Sequence, residues 1–475
     1  MIVHSLPYII YRSYPDFGYL TDNRNYGYDT ASRSCKKVGD LLLSKVASVF
    51  YSVLSPSEQD IDTVVDKLCN YFPEVLPSLI RENAIEFYTD LHSKGFIFAG
   101  DTDIDRRLCY FSYDNWEPYS LNLPQQQLNN SIYEDTFGQN SQLVRVHIDI
   151  SSRCNENCVH CYIPSKNKCG VMSKELFENI LFQCKEMNVI NLTISGGEPM
   201  LNPHLTYFLQ LCKKNNFSVN LLSNLTLLTD EILDIFVDNP LISIQTSLYA
   251  MVEDVHDSIT RCKGSYQKTL NSILMLHERN IPMQINCPIM KQNLLYYKDV
   301  LSFAQSRNIE ADADCSLFGA YDCSRSNLAC RLSREEVEMV IEDDYRDETK
   351  RKDDYNVKEK GADTAICPVC KSSLCISNSG NIYPCEGWQS LILDNINNHS
   401  LQEVWEKSPQ IKQLRDLTYR NFPECNSCLY KSYCTPCLIM NANEDTAGNY
   451  SIINRFTCEI ARIKTRVSKA QNFKR

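Results

Sequence analysis

Three cysteines, Cys154, Cys158 and Cys161, lie on one short stretch with the spacing CxxxCxxC. An alternating apolar stretch, residues 143–150, precedes them and predicts a strand, so the cysteines fall in a loop at its carboxyl end. Three thiolates on one loop can hold three irons of a [4Fe–4S] cube and leave the fourth iron open to a small molecule. A zinc knuckle, or a chance cluster in a cysteine-rich chain, is the alternative at this point.

A second motif, Gly196-Gly197-Glu198-Pro199, follows an apolar run, residues 189–194, that predicts the next strand. Two glycines allow the backbone to come close to a ligand, and the glutamate offers a carboxylate. Taken alone, the motif is also typical of an ordinary turn between a strand and a helix. Its position after the cysteine loop favours a cofactor site.

A third group of cysteines lies beyond residue 366. Its members are Cys367, Cys370, Cys375, Cys385, Cys425, Cys428, Cys434, Cys437 and Cys458. Gly380 separates the first three from the fourth. Residues 373–377 predict a hairpin arm facing the arm that ends at Cys385, so Cys375 is a candidate ligand as well.

Together these motifs resemble the radical S-adenosylmethionine (SAM) superfamily with its SPASM extension. The resemblance implies that Cys154, Cys158 and Cys161 hold the cluster that binds SAM, whose reductive cleavage gives a hydrogen-abstracting 5′-deoxyadenosyl radical. It also implies two auxiliary [4Fe–4S] clusters, three in all. Their implied ligand sets are Cys425, Cys428, Cys434 and Cys458 for one, and Cys367, Cys370, Cys385 and Cys437 for the other.

This sequence departs from the SPASM pattern at one point. Two residues, where the family usually has three, separate Cys434 from Cys437, which leaves the register of Cys437 open. Cys375 is surplus to the pattern, so the first auxiliary set is open among Cys367, Cys370 and Cys375.

The resemblance also implies a set of SAM-binding residues by position. The set is Tyr162, Gly196, Gly197, Glu198, Pro199, Asn224, Ser247 and Arg261. Asn224 and Ser247 end predicted strands, and the planar guanidinium of Arg261 suits a carboxylate. Each of these three is equally consistent with a routine polar cap. His160 is expected to cover the cluster or the adenine.

Composition agrees with metal chemistry. The chain has 475 residues and 23 cysteines, and its first residues lack the basic and apolar segments of a secretory signal. We therefore expect a cytoplasmic protein. The net charge of −11 argues against a nucleic-acid partner, and no apolar run approaches the ~18 residues of a membrane span.

The predicted fold class is α/β. Residues 143–330 alternate strands and helices, as in the partial (β/α)6 barrel of the superfamily. The strands are predicted at 144–150, 189–194, 217–222, 241–246 and 283–289. Residues 111–142 are expected to form a linker, residues 331–365 a helical bridge, and residues 366–475 the SPASM domain.

Residues 1–110 begin with two strand-like runs and continue with three amphipathic segments, 41–54, 61–71 and 76–94. This order resembles the winged-helix leader-recognition element of peptide-modifying enzymes, in which the leader peptide adds a strand to the sheet edge. A generic helical cap on the barrel is the alternative.

The resemblance implies a maturase that modifies a ribosomally made precursor peptide, as sactipeptide and ranthipeptide enzymes do when they form cysteine thioethers. Its expected partners are a precursor with a leader and an electron donor such as flavodoxin or ferredoxin. The alternatives are C–C or C–O crosslinking, epimerisation, oxidation of cysteine or serine to formylglycine as in sulfatase maturation, and an iron–sulfur carrier or sensor. The glycine motif argues against a carrier, which has no use for SAM.

Overall fold

A computed structural model describes residues 1–28, 38–100, 113, 141–346 and 359–472. The predicted linker, residues 111–142, lies outside the described residues except for Tyr113, Ser141 and Gln142. Within the described ranges, no helix combines the length and the apolar character that a membrane crossing needs.

The N-terminal domain contains two small antiparallel sheets and three helices. The strands are β1 (Ile2–Ser5), β2 (Ile9–Ser13), β3 (Phe17–Asp22), β4 (Asp40–Ser44), β5 (Gln59–Asp60) and β6 (Ile97–Gly100), and the helices are α1 (Lys45–Ser52), α2 (Ile61–Tyr71) and α3 (Pro77–Ser93). One sheet has the order β2-β3-β4 and the other β5-β1-β6. Gly95, with φ of 82°, follows α3 in the left-handed conformation expected after a helix end.

One prediction for this domain is wrong. Residues 41–54 are predicted as one helix, whereas the structure places Leu41, Leu42 and Leu43 in β4 and begins α1 at Lys45. Consecutive leucines fit a strand as well as a helix, and pairing with β3 decides between them. Ser44 ends the strand and caps the helix, because its side chain accepts a hydrogen bond from the Ala47 N–H at 3.2 Å.

The central domain is the expected partial barrel. Its parallel strands are β7 (Arg145–Ser151), β8 (Asn191–Gly196), β9 (Ser218–Leu222), β10 (Ile242–Ser247), β11 (Met283–Asn286) and β12 (Glu310–Asp312). The helices between and after them are α4 (Lys174–Glu186), α5 (Leu205–Lys214), α6 (Asp230–Val237), α7 (Glu253–Thr260), α8 (Ser265–Glu278), α9 (Tyr297–Ser306) and α10 (Arg334–Arg346). Each strand pairs with its sequence neighbours, so all six carboxyl ends lie on one side.

The C-terminal domain extends the same sheet. Its strands are β13 (Ser373–Ile376), β14 (Asn381–Tyr383) and β15 (Asp394–Asn395), and its helices are α11 (Leu401–Lys407), α12 (Pro409–Arg415), α13 (Pro423–Asn426), α14 (Leu438–Glu444) and α15 (Arg455–Asn472). The predicted hairpin is present as β13 and β14. In addition, β13 pairs in parallel with β7, which sequence reasoning did not predict.

The N-terminal domain packs on the base of the barrel, at the amino ends of the strands. Ile10 and Tyr19 share an apolar cluster with Val144, Ile190 and Leu241. Arg12, which is buried, donates from Nε to the Val189 carbonyl at 2.8 Å and from Nη2 to the Asn216 carbonyl at 2.9 Å. Burial lowers the pKa of this guanidinium to about 10. The domain is therefore joined to the barrel by buried contacts.

Candidate active site

The cysteine loop begins where β7 ends and is fixed by backbone bonds to α7. The pairing of β7 with β8 shifts register between Asp149 and Ser151, immediately before the loop. Farther along, the Asn157 N–H donates to the Thr260 carbonyl at 3.0 Å and the Val159 N–H to the Ile259 carbonyl at 2.9 Å. Cys154, Cys158 and Cys161 all line one cavity of about 240 Å³ at the carboxyl ends of the strands.

The two glycines of the second motif allow β8 to lie against the backbone that leads into the cysteine loop. A Cβ on Gly196 would stand 1.9 Å from the Ser151 carbonyl oxygen, and one on Gly197 would stand 2.4 Å from that of Arg153. Gly196 also has a φ of 130°, which side chains rarely permit. The glycines line the cavity, and their close contact is with backbone.

Glu198 connects the ends of two strands. Its fully buried carboxylate accepts hydrogen bonds from the Met200 N–H at 2.9 Å, the Ser223 hydroxyl at 2.8 Å and the Asn224 N–H at 2.8 Å. Burial raises the pKa of this carboxyl to about 7, and the three hydrogen bonds oppose that rise. The carboxylate thus fixes the segment after β9 against the segment after β8.

Asn224 links the segment after β9 to the cysteine loop. Its Nδ2 donates to Asn155 Oδ1 at 3.0 Å, and Asn155 Nδ2 donates to the Thr226 hydroxyl at 2.7 Å. The Thr226 hydroxyl in turn donates to Asn224 Oδ1 at 2.7 Å. This closed ring of three side chains holds the loop over the cavity.

The opposite wall carries polar atoms that lack partners. His160 Nδ1, His256 Nε2 and Thr246 Oγ1 are buried, belong to residues that line the cavity and find no hydrogen-bond partner in the described structure. Burial lowers the pKa of both histidines to about 4, so both rings are neutral at pH 7. Buried polar atoms normally have partners, so this wall suits a polar ligand such as SAM, and the three thiols suit its cluster.

The structure sorts the predicted SAM-binding residues into two groups. Tyr162, Gly196, Gly197, Asn224 and Ser247 line the cavity. Glu198, Pro199 and Arg261 lie outside the residues that line it. Arg261 is exposed and ends α7 in a left-handed conformation, with φ of 53°. A cofactor contact by these three remains a prediction, and Glu198 already has a structural role.

His160 lines the cavity and packs on aromatic neighbours, and its predicted role of covering the cluster or the adenine stays a prediction. Its ring lies edge-on to Tyr249 with centroids 5.2 Å apart, and Tyr249 packs on His256 at 5.3 Å. Sequence reasoning named neither Tyr249 nor His256, and it also missed Gln245 and Asn286. Gln245 and Asn286 could have been predicted from the sequence. Like Ser247, they occupy alternate or terminal strand positions that face the barrel interior.

A second polar cluster lies between the cysteine loop and the C-terminal domain. His147 on β7 pairs across the sheet with Cys375 on β13. His147 Nε2 lies 3.0 Å from Asp149 Oδ1, and Gln389 Nε2 donates to Asp149 Oδ2 at 2.6 Å. The ligand atoms of His147, Asp149 and Cys375 lie within 4.8 Å of one another. The structure therefore places Cys375 beside the histidine and the aspartate, inside the barrel.

Four of the C-terminal cysteines meet as the resemblance implies. Cys425, Cys428, Cys434 and Cys458 line one cavity of about 180 Å³. Burial, with the nearby charges of Cys458 and Cys425, raises the pKa of Cys434 to about 12. Thiols so close together bind metal as thiolates and release their protons when they do so.

The auxiliary set of Cys367, Cys370, Cys385 and Cys437 shows electrostatic coupling between its members. Burial raises the pKa of each thiol, and neighbouring thiolates raise it further for three of them: Cys367 acts on Cys370 and on Cys437, and Cys437 acts on Cys385. Cys385 follows the hairpin turn at Gly380, which has a φ of 85°. Cys437, despite the shortened spacing before it, feels the charge of Cys367, and its place in the ligand set stays a prediction.

Comparisons with known proteins agree with this arrangement. Residues 148–304 match the Radical SAM superfamily, and residues 367–429 match the SPASM family, described as an iron-sulfur cluster-binding domain. The chain is 24% identical to the AdoMet-dependent heme synthase of Methanosarcina barkeri over 61% of this chain and 89% of that protein. It is 25% identical to the antilisterial bacteriocin subtilosin biosynthesis protein AlbA of Bacillus subtilis over 70% of this chain and 78% of that protein.

Among solved structures, Streptococcus suis SuiB bound to precursor peptide SuiA is similar with a TM-score of 0.56. The match covers 95% of this chain and 98% of that chain at 15% identity, so it supports the fold.

Proposed function

We propose that this chain, a radical SAM protein with a C-terminal SPASM domain, modifies a ribosomally made precursor peptide by forming cysteine thioethers. The observation that carries the proposal is the combination, in one chain, of a three-cysteine cavity with an N-terminal sheet that has an open edge. The name of AlbA, a bacteriocin biosynthesis protein, and the structure of SuiB with its precursor support a peptide substrate.

When bound, SAM and its cluster supply a carbon radical that removes one hydrogen atom from the peptide, and the auxiliary clusters supply an acceptor for the electron left as the new bond closes. Cys154, Cys158 and Cys161 would hold that cluster. Tyr249, His160 and Asn224 line the cavity that would hold SAM. A reduced flavodoxin or ferredoxin in the cytoplasm is the proposed electron donor.

The leader is proposed to bind along β4. The sheet β2-β3-β4 has two edges, and the barrel already occupies the first. Asn216 Oδ1 accepts the Tyr11 N–H at 3.0 Å, and Asn216 Nδ2 donates to the Ile9 carbonyl at 3.1 Å, which satisfies the edge of β2. Among the described strands, β4 pairs with β3 alone. Within this sheet, an added peptide strand would therefore pair with β4.

Exposed apolar side chains flank this open edge. Leu42 on β4 is 42% exposed, and Val46 at the start of α1 is 56% exposed. Main-chain pairing gives an added strand its affinity, and apolar pockets give it selectivity. Leu42 and Val46 are the side chains best placed to supply that second part.

The substitution Leu42→Asp tests the leader site without removing the domain. We expect the affinity for the full precursor to fall by about tenfold, the effect of losing an apolar anchor, as measured by fluorescence anisotropy. Phe182→Asp is the matched control, because Phe182 on α4 is 62% exposed and far from β4 in the sequence. Equal affinity in the two variants would place leader recognition elsewhere.

The type of bond is tested on the product. Formation of one thioether lowers the peptide mass by two hydrogens and leaves one fewer cysteine thiol that can be alkylated. Mass spectrometry after thiol alkylation measures both changes. Loss of two hydrogens with all thiols intact would indicate a C–C or C–O crosslink. An unchanged mass with inverted stereochemistry would indicate epimerisation, and an aldehyde would indicate oxidation to formylglycine.

A further inference from the structure

We propose that the N-terminal domain forms the floor of the catalytic cavity, and that Tyr28 is a positioning residue that couples leader binding on β4 to the cavity through Gln245. The inference rests on the proposed function, because it assumes that a leader binds at β4. It concerns a short segment, residues 23–28, which follows β3 and is called the insert below.

The insert enters the barrel from the amino ends of the strands. Asn23 Nδ2 donates to the Pro240 carbonyl at 3.0 Å, just before β10. Asn220 Nδ2, on β9, donates to the Tyr26 carbonyl at 3.2 Å. A Cβ on Gly27 would stand 3.1 Å from the Ser243 hydroxyl, so the backbone here lies directly against β10. The insert thus fills the lower mouth of the barrel.

Tyr28 is the residue of the insert that reaches the cavity. Its hydroxyl donates to Gln245 Oε1 at 3.0 Å, and Gln245 lines the cavity together with the three cysteines. Gln245 and Ser247 stand two residues apart on β10 and therefore face the same side of the sheet. A change in the position of Tyr28 is passed directly to the wall that includes Ser247.

The insert is tied at its other end to the proposed leader strand. Asp40, the first residue of β4, accepts through Oδ1 a hydrogen bond from Asn25 Nδ2 at 3.1 Å and from the Thr21 hydroxyl at 2.6 Å. Asp22 accepts the Arg24 N–H at 3.0 Å and, through its other oxygen, the Val38 N–H at 3.1 Å. Hydrogen bonds of Asp22 and Asp40 therefore join the start of β4 to the insert.

These contacts form a continuous route from the edge of β4 to the cavity. A peptide strand paired with β4 restrains Asp40, which holds Asn25, and the insert carries Tyr28 to Gln245. Leader binding then does more than hold the precursor near the enzyme, because it fixes the floor of the cavity on which the core peptide lies. A merely structural insert would support the barrel without responding to the leader.

The test uses the holoenzyme under anaerobic conditions with Tyr28→Phe, which removes the hydroxyl and keeps the ring. We expect unchanged affinity for the precursor, about a fivefold lower kcat, and more 5′-deoxyadenosine released per peptide modified, since one hydrogen bond of ordinary strength is lost. Tyr207→Phe is the matched control, because the Tyr207 hydroxyl bonds Glu178 on the outer surface. It should behave as the unaltered protein does.

Two further variants identify the route. Gln245→Leu removes the acceptor, and if both residues act through one bond, the Tyr28→Phe/Gln245→Leu double variant will be no slower than the slower single variant. Gly27→Ala keeps both partners but presses a methyl group on Ser243, and it should also lower kcat at unchanged precursor affinity.

Several results would overturn the inference. They are an unchanged kcat in Tyr28→Phe, an unchanged rate of SAM cleavage by that variant without peptide, a parallel loss of precursor affinity, or independent effects in the double variant. The proposed function fails by a different result, namely a wild-type protein that neither binds nor modifies the precursor. In that case, the rate of SAM cleavage by Tyr28→Phe without peptide still shows whether Tyr28 positions the cavity wall. An unchanged rate would refute that role.

Discussion

Alanine in place of Gly197 should disable SAM cleavage through backbone displacement alone. The new Cβ would stand 2.4 Å from the Arg153 carbonyl oxygen, in a segment that leads directly to Cys154. Ordinary van der Waals contacts begin at 3.4 Å, so the two backbones must separate by about 1 Å to restore one. A displacement of about 1 Å at a reacting centre costs about 100-fold in rate, so we expect 5′-deoxyadenosine release to fall by about that factor.

Two other glycines separate steric overlap from conformational strain. Gly196→Ala combines both, because its Cβ would stand 1.9 Å from the Ser151 oxygen and its φ is 130°. Gly264→Ala carries strain alone, since Gly264 has a φ of 80° and no atom within 4 Å of a built Cβ. We expect Gly264→Ala to lose about 1 kcal/mol of stability and to cleave SAM at the native rate.

The assay measures anaerobic 5′-deoxyadenosine release, iron content and thermal unfolding on all three variants. Loss of activity in Gly196→Ala and Gly197→Ala, with activity kept in Gly264→Ala, would support the displacement. A fully active Gly197→Ala would refute the reasoning, because it would show that the cysteine loop tolerates movement of its base.

Three further predictions concern the metal sites and pH. Replacing Cys154, Cys158 and Cys161 together by alanine should abolish 5′-deoxyadenosine release and leave about eight irons, two cubes, since the cysteine groups lie in different domains. The unaltered protein should hold about twelve irons. The iron content should stay at that number in Cys375→Ser and fall in Cys428→Ser. A loss of iron in Cys375→Ser would instead show that Cys375 is a ligand. Burial lowers the pKa of His256 from its ordinary value of 6.5 to about 4, so its contribution to stability is present above pH 6.5 and is lost as pH falls towards 4. In urea titrations His256→Gln should therefore lose less stability than the unaltered protein over that range, and equal losses would contradict the assignment.

Much of the barrel could be predicted because its strands are apolar runs, and the first two end at the cysteine loop and at the glycine motif. The five strands predicted from such runs all occur, with ends displaced by at most three residues. The sixth strand, β12, is three residues long and begins and ends with an acidic residue, so it gives no apolar signal. Its pairing with β11 decides its structure.

For the candidate site, the cysteines that could bind a cluster were easier to predict than the other residues that line the cavity. The spacing of Cys154, Cys158 and Cys161 indicates a cluster because three thiols a few residues apart on one loop can bind the same one. Glu198 illustrates what spacing cannot reveal: its carboxylate meets Ser223, 25 residues away, only when β8 and β9 lie side by side. The unpaired nitrogen of His256 likewise follows from how α7 packs on the barrel, which no local pattern records.

The parallel pairing of β13 with β7 has a consequence for any shortened form of this protein. A chain that ends before residue 366 would leave β7 with a bare edge of unpaired N–H and C=O groups beside the cysteine loop. Bare edges of regular strands recruit strands from other molecules. The C-terminal domain thus shields the barrel against self-association, and a barrel expressed without it should accumulate as insoluble aggregates even where its own cysteines are intact.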